Sequence, residues 1–451
     1  MTVTNGKDEL EEQFARWREH VRRRPELVES DADELEDHLR GSVDELVALG
    51  LSRDEAFLVA IKRMGGLDDL SREFAREHSE RLWKQLMFTP DPVKKNSDLI
   101  AMLVCAIGAA LSIKIPELAG MSWEDDGWFY GMNLSLFPLP WLAGFLAWRR
   151  RPATWVYGVL VALFAVGLAV ANIYASSEGT QSIDLVMTHL PIALWLVVGL
   201  AYVSDDLRSS RRRMDFIRFT GEWFVYVVLT SLGGGVLVLF LYGIFDAIDL
   251  SPEAFVSGWL VPCGWMAAVV VAGWLVEVKQ GVIENIAPVL TRLFTPLFTV
   301  ALLAYLGIIG FGGRGLDIDR NTLLLFDLLL AVVLGLLLYS WSARDPLAPR
   351  GPFDFMQLAL VVSALVIDAL VLYTMTTRIA EYGTTPNNVT ALGMNIVLLV
   401  NLAWAAWLLL GFVRRRGGFA AIERWQTAYL PVFAVWFWTV VLILPPVFNF
   451  R

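Results

Sequence analysis

Five polar side chains stand out because of where they fall. Asp368 lies in the middle of the apolar run Leu358–Tyr373, Asp327 and His189 lie in two other apolar runs, and Asn395 and Asn401 share a fourth. An ionisable group at membrane depth is costly, so it is expected to have a partner or a task. Two chemistries fit these residue types. In one, Asp327, Asp368 and His189 line a polar cavity that binds a cation or relays protons, with Asn395 and Asn401 adding amides. In the other, each group is neutral or hydrogen-bonded to a neighbouring helix and holds the bundle together. Ser363 is the nearest polar neighbour of Asp368 in sequence. Pro191, two residues after His189, frees a backbone carbonyl because it lacks an N–H.

Enzyme signatures are missing. The chain has no H-E-x-x-H pair, P-loop, G-x-S-x-G elbow or G-x-G-x-x-G loop, so it is expected to be non-enzymatic and to use no cofactor. An enzyme acting on lipid-linked substrates has no motif in its favour. His20, His38 and His78 lack a metal-ligand spacing and have no cysteine beside them. Cys105 and Cys263 sit inside apolar stretches, where they read as small hydrophobes rather than a disulfide framework or a zinc site. Gly233-Gly234-Gly235 also lies within an apolar run, which suggests close helix packing or a kink. Glu222, Asp246 and Glu277 fall at the ends of apolar runs and are expected to be solvated.

These residues are carried by a chain that changes character near Pro90. Before it the sequence is charged and helical in pattern; after Ser97 apolar stretches of membrane-spanning length succeed one another to Phe450. Hydrophobic residues make up 56% of the chain, more than the roughly 45–50% of a soluble protein. Hydropathy predicts an all-α, polytopic membrane protein of about eleven transmembrane helices. They centre on 99–115, 128–148, 153–174, 184–203, 223–245, 255–276, 295–311, 321–341, 355–375, 389–412 and 427–448. The lipid bilayer is therefore the expected partner of residues 98–451.

Charge gives the expected orientation. One set of loops carries Arg149-Arg150-Arg151, Arg211-Arg212-Arg213, Lys279, Arg344 and Arg414-Arg415-Arg416; the alternate loops are acidic, with Glu124-Asp125-Asp126 and Glu253. Every basic loop falls on the side of the N-terminal segment, so the positive-inside rule puts that segment in the cytoplasm and the C-terminus outside. With no cleavable signal peptide at its start, this segment is expected to stay in the cytoplasm, and the apolar helices to lie in a bacterial cytoplasmic (inner) membrane. Two of the basic stretches have apolar faces of their own. Val282, Ile286, Val289 and Leu293 suggest an interfacial amphipathic helix, and Leu207–Phe219 reads as a solvated loop or a contact for anionic lipid or for the head. Trp128, Trp148, Trp223, Trp341 and Trp425 lie near span ends, where indoles favour the interface.

Residues 1–87 read as a four-helix cytoplasmic bundle. Leu10, Phe14, Trp17 and Val21 form one apolar stripe; Leu35, Leu39, Val43 and Leu46 form a second. Gly50 closes that second helix, and Ser52 with Glu55 has capping-box spacing. Residues 88–97 form a linker, because Pro90 and Pro92 cannot continue a helix. The negative net charge of −9, with roughly half the acidic residues before Pro90, argues against nucleic-acid binding by this head.

Trp17, the acidic helix with Glu34 and His38-Leu39, Gly50-Leu51-Ser52, Glu55-Ala56 and the Met64-Gly65 stop together resemble the permease-prefix (HAAS-type) domain. That domain is found on bacterial permeases and on membrane proteins paired with PadR-type repressors. The resemblance implies a protein-interaction or signalling module with a cytoplasmic protein partner. A second resemblance rests on Ala287–Phe298 running into Leu303-Ala304-Tyr305-Leu306, on Arg378–Val389 with its Glu381-Tyr382-Gly383-x-Thr385 turn, and on Leu402–Phe412 ending at Arg414. These look like the bacterial membrane family catalogued as domain of unknown function 4153. Members often carry Arg where this chain has Asn388. The resemblance implies a helical membrane bundle and brings no activity with it.

Overall fold

The structure is a computed structural model. It describes residues 29–48, 92–174, 181–246, 250–278, 286–311, 320–344 and 348–450, together with Phe14, Ala56 and Ala60. Every regular element among the described residues is helical. The chain divides into two compact units, Met1–Asn96 and Ser97–Arg451.

In the first unit the described helix is α1 (Glu29–Ala48). It buries Leu39, Val43 and Leu46 on one face, with Phe14, Ala56 and Ala60 buried as well. Arg40 lies 4.2 Å over the Phe14 ring and pairs with Glu36 one turn away. The other three helices expected here, with Trp17, Gly50 and the Ser52 cap, fall almost wholly outside the described residues.

The second unit is built from α2 (Pro92–Ser112) from Ser97 onward, α3 (Leu139–Arg150), α4 (Thr154–Ile173), α5 (Gln181–Val203), α6 (Ser210–Asp246), α7 (Val261–Val278), α8 (Ile286–Phe311), α9 (Arg320–Ser342), α10 (Pro352–Tyr382), α11 (Pro386–Val413) and α12 (Ala420–Leu442). Eight described helical runs are long and apolar enough to cross a membrane: those of α4–α8 and of α10–α12. Ser97–Ser112 in α2 and Phe326–Ser342 in α9 are shorter apolar helices.

Local sequence explains several boundaries. Helix α2 begins at Pro92, inside the expected linker; a proline is tolerated in a first turn, where its missing N–H would have no intrahelical partner anyway. Gly383 ends α10 at φ +83°, a conformation that favours glycine, and two residues later the Thr385 hydroxyl accepts the Asn388 N–H to cap α11. The Glu-Tyr-Gly-x-Thr signature is thus a helix stop and then a helix start.

Three expectations change. The stretch 128–148 is not one helix: Gly127–Asn133 and α3 are separated by turns at Leu134–Pro138, where Pro138 and Pro140 remove two backbone donors. The basic stretch from Ser210 is not a loop but the first turns of the 37-residue α6, with Met214, Phe216, Ile217 and Phe219 buried. Ile286–Leu293 is likewise continuous with the span helix α8 rather than a separate surface helix. Residues 282–285 lie outside the described residues.

Two apolar cores fill the unit. The first joins α2–α7 around Tyr130, Phe145, Leu190 and Phe219; the second joins α8–α12 around Leu330, Trp341, Ile367 and Leu402. Helices α5 and α12 form the seam. Ala193 of α5 belongs to the second core and Val441 of α12 to the first.

Candidate functional site

The second core contains polar side chains on three packed helices, α9, α10 and α11. Asn395 of α11 donates its amide Nδ2 to Asp327 Oδ1 of α9 at 2.9 Å, and the same nitrogen lies 3.5 Å from Met375 Sδ on α10. A carboxylate only accepts, so the atom facing Asp327 must be the nitrogen. That orientation leaves Asn395 Oδ1 buried with no donor facing it.

Asp368 is on α10, seven residues before Met375 and therefore two turns away on one helix face. It is 0% exposed, and neither carboxyl oxygen meets a hydrogen-bond donor among the described residues. Asp327, only half-buried, is on α9, which packs against α10. Register sets the level of the two carboxyls. Trp341 Nε1 donates to Gln357 Oε1, tying α9 to α10. Counting back to Asp327 and forward to Asp368 at about 1.5 Å per residue brings both to within about one turn of the same level.

The other two candidates lie elsewhere. His189 sits on the seam. Its Nδ1 is 2.8 Å from the Leu185 carbonyl and 2.9 Å from Thr188 Oγ1, and its ring is 5.8 Å from Phe437. A carbonyl accepts only, so Nδ1 carries the proton in that bond. The carbonyl four residues before Pro191 is that of Met187, not the one His189 uses. Asn401 is six residues beyond Asn395, about 9 Å along α11. It donates Nδ2 to Gln426 Oε1 at 3.1 Å, while Trp425 Nε1 donates to its backbone carbonyl. The structure therefore brings Asp327, Asp368 and Asn395 together and gives His189 and Asn401 partners of their own.

Sequence reasoning misses the carboxylates that bind arginine. Glu277, expected to be solvated, is 6% exposed; it accepts Arg149 Nε at 3.0 Å and Arg150 at 2.6 Å. Arg149 also pairs with Asp98, and Arg150 lies 3.7 Å over the Tyr202 ring. Glu222 is buried as well and pairs with Arg218, whereas Asp246 is exposed. Arg344 binds Asp354 and lies over the rings of Phe412 and Phe419. Basic residues expected in cytoplasmic loops therefore clamp helix ends. Trp341 is 1% exposed and hydrogen-bonds inside the bundle, not at an interface. The pairing of adjacent arginines with an acidic residue at another helix end is the available signal, but it does not say which carboxylate is reached.

Among the described residues, no group of three or more His, Cys, Asp or Glu side chains could hold a metal ion. Comparison with protein-family models, with curated proteins and with solved structures finds no match to this chain.

Proposed function

We propose that this chain is a non-enzymatic, multi-pass protein of the bacterial inner membrane. Its N-terminal 87 residues form a cytoplasmic head that regulates, or binds a partner for, a membrane bundle responding to an envelope condition. The division into two compact units carries the reading, with the acidic, charged segment on one side of it and the apolar helices on the other. The prefix-like sequence of the head adds to it, as does the resemblance of the bundle to the domain of unknown function 4153. On this reading there are eleven spans. The eight long apolar runs are joined by the two shorter ones and by the broken pair Gly127–Asn133 and α3. The basic helix ends then lie inside, with the head.

The test compares neighbours of the full chain in the native membrane with those of a chain lacking residues 1–87, by proximity labelling and co-purification. A partner lost with the head supports the reading. An unchanged set of partners, with no change in phenotype, removes it.

A second reading, a cation- or proton-coupled permease, is favoured by one observation: two carboxyls and an amide on the packed helices α9, α10 and α11, with neither oxygen of the buried Asp368 meeting a donor. Its test is solute and ion flux in proteoliposomes. Unchanged flux after Asp368→Asn counts against it.

A further inference from the structure

The buried polar atoms around Asp368 are unbalanced in one direction. Asp368 Oδ1, Asp368 Oδ2 and Asn395 Oδ1 are all acceptors, all buried, and all without a donor among the described residues. The pair one and a half turns further along α11 is different. There, Asn401 Oδ1 and Gln426 Nε2 are an acceptor and a donor, which a small rotation or a bridging water reconciles. A surplus made only of acceptors calls for positive charge or a proton.

The described residues place no such charge nearby. The helices packed on α10 are α8, α9 and α11. Helix α11 has no ionisable side chain. Helix α8 contributes Arg292 near its start and Tyr305, whose ring packs on Phe326. Helix α9 contributes Arg320 at its first position, Tyr339 near its other end, and Asp327 itself. On α10, the nearest basic residue is Arg378, about 15 Å along the axis from Asp368. The ionisable residue that register brings to about the level of Asp368 on these helices is a second carboxyl, Asp327.

We infer that Asp368 and the Asn395 carbonyl oxygen form a binding site for a small hard cation within the membrane bundle, with the half-buried Asp327 as its port. Oxygen donors select hard cations such as Na+, a hydrated proton or Mg2+ over soft metals. Asn395 couples the two carboxyls: its nitrogen is held by Asp327, so its oxygen is turned away from Asp327 and available to a cation. The inference deepens the permease reading and rests on it for the placement of the site, though binding does not require transport.

The full chain, in detergent or nanodiscs, is tested by thermal unfolding in NaCl, KCl and MgCl2 against choline chloride of equal ionic strength, and across pH. In the wild type, one cation or acidification raises the midpoint saturably. Asp368→Asn abolishes that rise, and Asn395→Ala weakens the apparent affinity by about tenfold. A wild type whose midpoint responds to no cation and no pH change differently from a folded Asp368→Asn overturns the inference. If Asp368→Asn does not fold, equilibrium binding of sodium, potassium and magnesium and proton uptake by the wild type decide. Saturable uptake that Asn395→Ala weakens supports the site, and absence of uptake overturns it. Proteoliposome flux separates the two ideas. Cation stabilisation without flux keeps the site and removes the permease. Flux that survives Asp368→Asn, without cation stabilisation, removes the site and leaves a permease working through other residues.

Discussion

Arg150 holds Glu277 at 2.6 Å while its guanidinium rests 3.7 Å over the ring of Tyr202. One arginine thereby joins α3, α7 and α5 through a charged hydrogen bond and a cation–π contact. Arg149 extends the clamp from Glu277 to Asp98 on α2.

Glu277→Gln is expected to destabilise the bundle by roughly 2–3 kcal/mol, because two arginines would face a neutral group at a nearly buried position. The cost stays below that of a fully buried pair, since both arginine side chains are about a quarter exposed. Thermal unfolding in detergent checks this. Glu277→Asp, which keeps the charge, should lose less.

Asp368→Leu is expected to raise stability by about 1–2 kcal/mol in the absence of cation. It removes a buried polar group that meets no donor and adds apolar contact with its neighbours. A gain in unfolding midpoint together with a lost cation response would mark a site kept for function at a cost to stability. A large loss of stability would instead make Asp368 a structural tie.

Arg344→Lys should cost about 1–2 kcal/mol although the charge is kept. Arg344 bonds Asp354, donates to the carbonyls of Ala348 and Pro349, and covers Phe412 and Phe419. A lysine ammonium cannot make that planar set of contacts. Arg344→Ala should cost more, and the order of the two midpoints checks the argument.

Two glycines should respond oppositely to a methyl group. A Cβ at Gly393 would run into the Trp436 indole, so Gly393→Ala is expected to destabilise by about 1–3 kcal/mol. Gly234 has nothing within 4 Å, as is true of Gly233 and Gly235, so Gly234→Ala should be neutral or stabilise by up to about 1 kcal/mol through helix propensity. Unfolding midpoints of the two variants should fall on opposite sides of the wild type or show a loss at Gly393 alone.

How far the chain can be read in advance differs from residue to residue. Asp368, Asp327 and Asn395 are visible as polar residues in apolar runs, because hydropathy is a property of sequence alone. Their grouping is not visible, because it depends on the register of α9 against α10 and α11, which is set by side-chain contacts such as Trp341 with Gln357. Glu277 escapes for a related reason: a carboxylate at a helix end looks the same in sequence whether it faces water or an arginine. Glu222 escapes because the basic stretch before it reads as a loop, whereas it is helix and sets Arg218 one turn from Glu222. The glycine triplet at Gly233 misleads because small residues mark close packing only when a neighbour arrives, and within 4 Å none does.

Helix α6 carries the largest consequence of such an uncovered surface. Its 37 residues span about 55 Å, against a hydrocarbon core of about 30 Å. Glu222 is its last buried residue; from there to Asp246 none is buried. One side of this stretch meets α7, where Trp223 donates to the Val269 carbonyl and Trp265 to Ser231, and the rest of its surface is apolar and open to lipid. In a thinner membrane α6 would leave apolar surface uncovered, and tilting about its N-terminal turns, where Arg213 donates to the Thr427 carbonyl and Phe216 and Phe219 are buried, would relieve that. The longest of the described helices is thus also the one whose span-length stretch leaves most of its surface to the lipid.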